Sequence, residues 1–142
     1  MSPNVVYTGG TFDLFHHGHV ALLARCRTLA GLGGLVVVSL NTDDFVEEYK
    51  GRPPAIPYAG RYSVVAACRY VDRVICNIGG RDSKRAIQAV GPNIIAVGSD
   101  WETKDYYRQM SFTREWLAER HIRIVYLPYT QEISTSQIRA AL

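Results

Sequence analysis

Five short runs of β-branched and apolar residues recur along the chain, each followed by a stretch with helical spacing. The runs fall at residues 5–8, 35–40, 71–78 (centred on Val74-Ile75-Cys76), 94–97 and 122–127. Leu35-Val36-Val37-Val38-Ser39-Leu40 shows no alternation of apolar and polar positions, which is the pattern of a strand covered on both faces. Residues 17–29 place Val20, Leu22, Leu23, Cys26 and Leu29 at helical spacing, and Gly31-Leu32-Gly33-Gly34 breaks the pattern. Further helices are expected near 44–48, at 58–70, at 83–90 with Gly91-Pro92 as the stop, at 112–120 and at 134–142. Ser134-x-x-Gln137 has the form of a capping box. Residues 50–57 hold Gly51, Pro53, Pro54 and Pro57 and are expected as a loop, as are 99–108 and 128–133. Strand and helix alternate from end to end, with no repeat or linker. One α/β domain over 1–142 is predicted: an open five-stranded parallel sheet with helices on both faces.

In such sheets ligands bind beyond the carboxyl ends of the strands, where strand order reverses. Residues 9–19, 41–50, 99–105 and 128–136 each follow a strand and are the candidate loops. Residues 9–19 read Gly9-Gly10-Thr11-Phe12-Asp13-Leu14-Phe15-His16-His17-Gly18-His19. Strand, glycine turn, histidines and helix in that order set imidazoles beside a helix N-terminus. Such an end carries unpaired N–H groups and partial positive charge, which suit phosphate. His16 and His19 are three apart, so a helical start puts them on one face. Capping of a turn by one imidazole is the structural alternative. A metal site on His16, His17 and His19 is disfavoured, since zinc needs converging ligands and adjacent histidines point apart.

Composition narrows the ligand. A net charge of +3 on 142 residues is too mild to suggest a nucleic-acid binder. Arginine far outnumbers lysine, and its planar fork suits the oxygens of small phosphorylated ligands. Cys26, Cys68 and Cys76 form no metal or redox spacing and read as reduced thiols. With no apolar run long enough to span a membrane and no charged-then-apolar leader, a cytoplasmic, membrane-free protein is expected.

Gly10-Thr11-Phe12-Asp13-Leu14-Phe15-His16-x-Gly18-His19 resembles the cytidylyltransferase branch of the HxGH nucleotidyltransferases, whose fold is Rossmann-like. The resemblance continues through Lys50-Gly51-Arg52, Arg61, Arg69-Tyr70-Val71-Asp72, Gly98-x-Asp100-Trp101 and Thr130-x-x-Ile133-Ser134-Thr135-Ser136, in order over nearly the whole chain. It implies CMP transfer from CTP, with Mg²⁺, to a small phosphorylated alcohol such as glycerol 3-phosphate. A phosphate dianion is already nucleophilic near neutral pH, its second pKa being about 6, so no general base is needed. Charge crowding and alignment set the barrier, and cationic donors lower it.

By the same resemblance Gly10, Thr11, Phe12, His16 and His19 meet the nucleotide phosphates, with both histidines stabilising the transition state. Lys50, on the proline-rich loop, meets the acceptor phosphate, and Arg52 meets CTP. Lys84, or Arg85 beside it, is a further acceptor contact and Arg61 a clamp near the phosphates, although helix position alone would leave each as a surface charge. Asp100 and Trp101 recognise cytosine. Thr130, Ile133, Ser134, Thr135 and Ser136 form a second anion site facing the first, a role compatible with ordinary capping. Arg69 and Asp72 form an ion pair or a subunit contact in an expected homodimer, and Asp13 holds its turn.

Three positions depart from the pattern. Tyr129 stands where an arginine is expected, Glu132 where a glycine is, and Ser99 where an acid is. Losing the arginine removes a bidentate donor, and Glu132 adds negative charge near the triphosphate. Two alternatives follow: an adenylyltransferase acting on a sugar phosphate, and a nucleotide-binding protein with little turnover.

Overall fold

The computed structural model describes residues 3–99, 105–128 and 134–142. Its strands are β1 (Val5–Gly10), β2 (Leu35–Leu40), β3 (Arg73–Cys76), β4 (Ile94–Gly98) and β5 (Arg123–Leu127). They form one sheet in the order β3-β2-β1-β4-β5, with every pairing parallel. The helices are α1 (His17–Ala30), α2 (Asp43–Lys50), α3 (Tyr58–Ala66), α4 (Lys84–Val90), α5 (Tyr106–Met110), α6 (Arg114–Glu119) and α7 (Thr135–Ala141). The expected Rossmann-like α/β sheet is therefore present, with its reversal of strand order between β1 and β4.

Side-chain alternation along the strands sorts the core into two layers. Val6, Val36, Val38, Ile94 and Ala96 face α1 and α3, packing with Cys26, Ala30, Leu23 and Val65. Tyr7, Ile95 and Val97 point the other way, onto Ile87 of α4, Tyr106 of α5 and Leu117 of α6. Both faces are buried, which is why β2 carries apolar residues at consecutive positions.

Several boundaries differ from the sequence reading. The loop expected over 99–108 ends in a helix, since Asp105 caps α5 by accepting from Arg108 N–H at 3.0 Å. Polarity hid this short helix. α3 stops at Ala66, short of the expected residue 70, and β3 is only Arg73–Cys76. α2 runs on through Lys50 to Gly51, whose φ of 78° suits a glycine cap. Lys50 therefore ends a helix rather than riding on the proline-rich loop.

Two predicted charges take structural roles. Asp72 does not pair with Arg69. It binds Arg27 at 2.7 Å and accepts from Val36 N–H, tying α1 and β2 to the start of β3, while Arg69 lies over the Tyr70 ring. Arg61 is neither a surface charge nor a phosphate clamp. Only 1% exposed, it donates to the carbonyls of Ile56, Thr11 and Asn41 and pairs with Asp43 at 2.6 Å. Those bonds fasten the loops after β1 and β2 to α3. Arg61→Met strips a donor from three buried or half-buried carbonyls. It is expected to lower unfolding free energy by about 3–5 kcal/mol in chemical denaturation, and a loss under about 1 kcal/mol would contradict the role.

Candidate active site

β1 ends at Gly10, and the chain turns through Phe12 and Leu14, both at positive φ (52° and 47°), before α1 begins. Non-glycine residues in that region store strain that the surroundings must hold. Asp13, between them, does the holding. Its carboxylate accepts from the N–H groups of Leu14, Ala55 and Ile56 and pairs with Arg139 at 2.8 Å. Burial by itself would raise its pKa, but the backbone donors and Arg139 outweigh that and keep it below the usual carboxylate range.

At the start of α1 the two histidines cap the helix reciprocally. His16 Nδ1 accepts from Gly18 N–H at 3.0 Å, and His19 Nδ1 accepts from His16 N–H at 3.1 Å. The arrangement has the logic of a capping box with imidazoles in place of hydroxyl and carboxylate. The rings stack with centroids 3.9 Å apart. Because each Nδ1 is an acceptor, each neutral ring carries its proton on Nε2 as a donor. Burial, and then its neighbour His16, pushes His19 down to about 3; burial and then His17 lower His16. Both are therefore neutral hydrogen-bond donors near pH 7.

These histidines line a cleft of about 560 Å³ across the carboxyl ends of the strands. Of the predicted residues, Gly10, Thr11, Phe12, His16, His19, Lys50, Ser134 and Thr135 line it together. The histidine turn and the start of α7 thus share one cleft. Thr135 Oγ1 donates to the Asp13 carbonyl at 2.6 Å, and Ser134 Oγ accepts from Gln137 N–H, leaving its own O–H free to donate.

Other predicted residues are not in the lining. Arg52 is exposed beyond the Gly51 cap, and Ser136 is exposed on α7. Lys84 fails as an acceptor contact because its ammonium is held by Asp82 and the Ser111 carbonyl. Arg61 is buried as described. Asp100, Trp101, Thr130 and Ile133 lie outside the described residues, as do Tyr129 and Glu132.

The cleft also contains residues that sequence reasoning passed over. Arg81, in the loop after β3, lines the cleft and pairs with Glu48 at 3.2 Å. Asn77 donates to the Asn41 side chain and to the Gly80 carbonyl; Asn41 donates to Thr11 Oγ1, which meets the Tyr49 hydroxyl. Asn41 and Asn77 directly follow β2 and β3, so strand ends were the signal that marked them. Asp13 is the one carboxylate among the described lining residues, and both its oxygens are occupied. Among the described lining residues no carboxylate oxygen is left free for a protein-held Mg²⁺.

Neutral imidazole donors, a lysine, an arginine and hydroxyls around a topological switch point define a nucleotidyltransferase site. The chain belongs to the cytidylyltransferase-like family, whose model matches residues 7–141. It is 34% identical over 134 residues to an FAD synthase of Korarchaeum cryptofilum, covering 94% of this chain and 87% of that protein. A glycerol-3-phosphate cytidylyltransferase of Bacillus subtilis is also 34% identical over 134 residues, covering 94% and 93%. The crystal structure of a lipopolysaccharide core biosynthesis protein from Thermoplasma volcanium superposes with a TM-score of 0.71. At 22% identity, over 93% of this chain and 100% of that one, it speaks for the fold alone.

The neutral His19 links the site to stability. Its pKa falls from 6.5 to about 3 on folding, so the unfolded chain binds more protons between those values. The contribution is complete above about pH 6.5 and lost as pH falls toward 3. His19→Asn keeps an acceptor at the Nδ1 position and does not titrate there. Its melting temperature is expected to fall less than that of the wild type between pH 7 and pH 4 in calorimetry. Parallel curves would contradict a neutral His19.

Proposed function

We propose that this chain transfers CMP from CTP to a small phosphorylated alcohol, glycerol 3-phosphate first among candidates. The observation that carries the transfer chemistry is the stacked His16–His19 pair, each Nδ1 fixed by a backbone N–H and each Nε2 left to donate. An acceptor phosphate oxygen attacks the α-phosphorus and forms the new P–O bond. The bond from that phosphorus to the bridging oxygen breaks, and pyrophosphate leaves with the electron pair. Charge gathers on the α-phosphate oxygens as the groups align. Donors already oriented need no reorganisation at that moment, and this is where they lower the barrier. A bound polyanion also raises imidazole basicity, strengthening the donors when substrate is present.

Lys50 and Arg81 bring positive charge to the β2–β3 side of the cleft, where an acceptor phosphate fits. The neutral amides of Asn41 and Asn77 and the Tyr49 hydroxyl suit the hydroxyl groups of a polyol. Support for cytosine comes from the family resemblance at Asp100-Trp101. Among the described residues no helix is long and apolar enough to cross a membrane.

A second reading is adenylyl transfer to a flavin phosphate. The FAD synthase relative is as similar as the glycerol-3-phosphate cytidylyltransferase, and Phe45, Tyr49 and Tyr106 offer aromatic wall to a ring system. The two separate in one assay: pyrophosphate release from CTP or ATP, each with glycerol 3-phosphate or flavin mononucleotide. Turnover with CTP and glycerol 3-phosphate is expected. Turnover only with ATP and the flavin installs the second reading, and nucleotide binding without turnover for any pair removes both. With the productive pair, His16→Ala and His19→Ala are each expected to lower turnover by about two orders of magnitude or more. Circular dichroism should remain that of the wild type, and turnover near wild type would remove the histidines from the mechanism.

A further inference from the structure

α7 contributes Ser134, its N-cap, and Thr135 to the cleft wall, yet none of its own residues is fully buried. Apolar burial is therefore a weak anchor for this helix. Among the described residues, two hydrogen bonds reach from α7 to another segment, and both end on Asp13. Thr135 Oγ1 donates to the Asp13 carbonyl at 2.6 Å, and the Arg139 guanidinium donates to Asp13 Oδ2 at 2.8 Å. Thr135 and Arg139 are four apart, so one turn of α7 presents both to the same residue. Asp13 lies in the strained turn that leads to His16, and its carboxylate also gathers the backbone of Ala55 and Ile56.

We propose that the Arg139–Asp13 ion pair is a latch that positions the C-terminal helix against the histidine turn, so that Arg139 is a positioning residue for the phosphate cleft. The proposal rests on the transfer reading above for its functional meaning. A single bond at Thr135 fixes one point of α7 and leaves its direction free. The second bond, a turn further on, fixes tilt and rotation and with them where the Ser134 hydroxyl stands opposite the imidazoles. The pair is suited to this. Asp13 is 4% exposed and kept ionised, and Arg139 is 29% exposed, so the bond is charge-assisted and less screened than a surface pair. Without Arg139, Asp13 keeps its backbone donors from Leu14, Ala55 and Ile56, and the turn itself remains held.

The test uses Arg139→Met, Arg139→Lys and the wild type, with pyrophosphate as the probe because it is common to CTP and ATP chemistry. In titration calorimetry Arg139→Met is expected to weaken pyrophosphate about tenfold, while Arg139→Lys, still able to donate to Asp13, stays within about threefold. In hydrogen exchange, α7 amides of Arg139→Met should exchange about tenfold faster, with β1, β2 and α1 unchanged and Arg139→Lys near wild type. Wild-type pyrophosphate affinity in Arg139→Met overturns the latch. So does unchanged α7 exchange, or a loss of protection spread over the whole sheet. If the wild-type protein binds no pyrophosphate, the transfer reading fails, and α7 exchange alone then decides whether the latch exists.

Discussion

Two imidazole lone pairs, each taken by a backbone N–H at the start of α1, underlie the chemistry available to this protein. A histidine ring is otherwise free to choose its tautomer and its rotamer. Here the helix that needs capping makes both choices: Nδ1 accepts, so Nε2 donates. Burial first, and then the stacked His16 ring 3.9 Å away, keeps His19 neutral. The contacts that cap the helix also set which ring nitrogen carries the proton.

That cap works only if the turn before it is held, and the turn is strained. Phe12 and Leu14 at positive φ are held between the β1 end and the α1 start by Asp13, whose partners come from the turn, from the segment before α3 and from α7. Arg61 repeats the device one layer deeper, bonding the Thr11 and Asn41 carbonyls from within α3. Charged side chains buried among backbone groups are costly unless fully partnered, and these are fully partnered.

The sheet decides which side of the cleft does what. With β1 central, β2 and β3 lie to one side and β4 and β5 to the other. Lys50, Arg81, Asn41 and Asn77 consequently gather on the first side, while Gly98 and Pro128, at the ends of β4 and β5, line the second. The reversal of strand order between β1 and β4 opens the crevice that the histidines line.

Much of this was legible in the residues alone. Uninterrupted apolar runs, helical spacing and glycine stops dictate a parallel α/β sheet, because only a strand buried on both faces tolerates Leu35–Leu40. The spacing of His16, Gly18 and His19 after a strand marks a capped helix start, since capping is local and reads out over a few residues. Other roles depended on partners far away in the chain. Lys84 and Arg61 look like free cations until tertiary contacts engage them, and Arg81 looks incidental until the loop after β3 brings it to the cleft. Asp13 is an unremarkable turn residue in sequence and meets Arg139 only because the chain closes on itself across 126 positions. Short-range patterns carry period and capping; which charge ends up partnered is decided by the packing of distant segments.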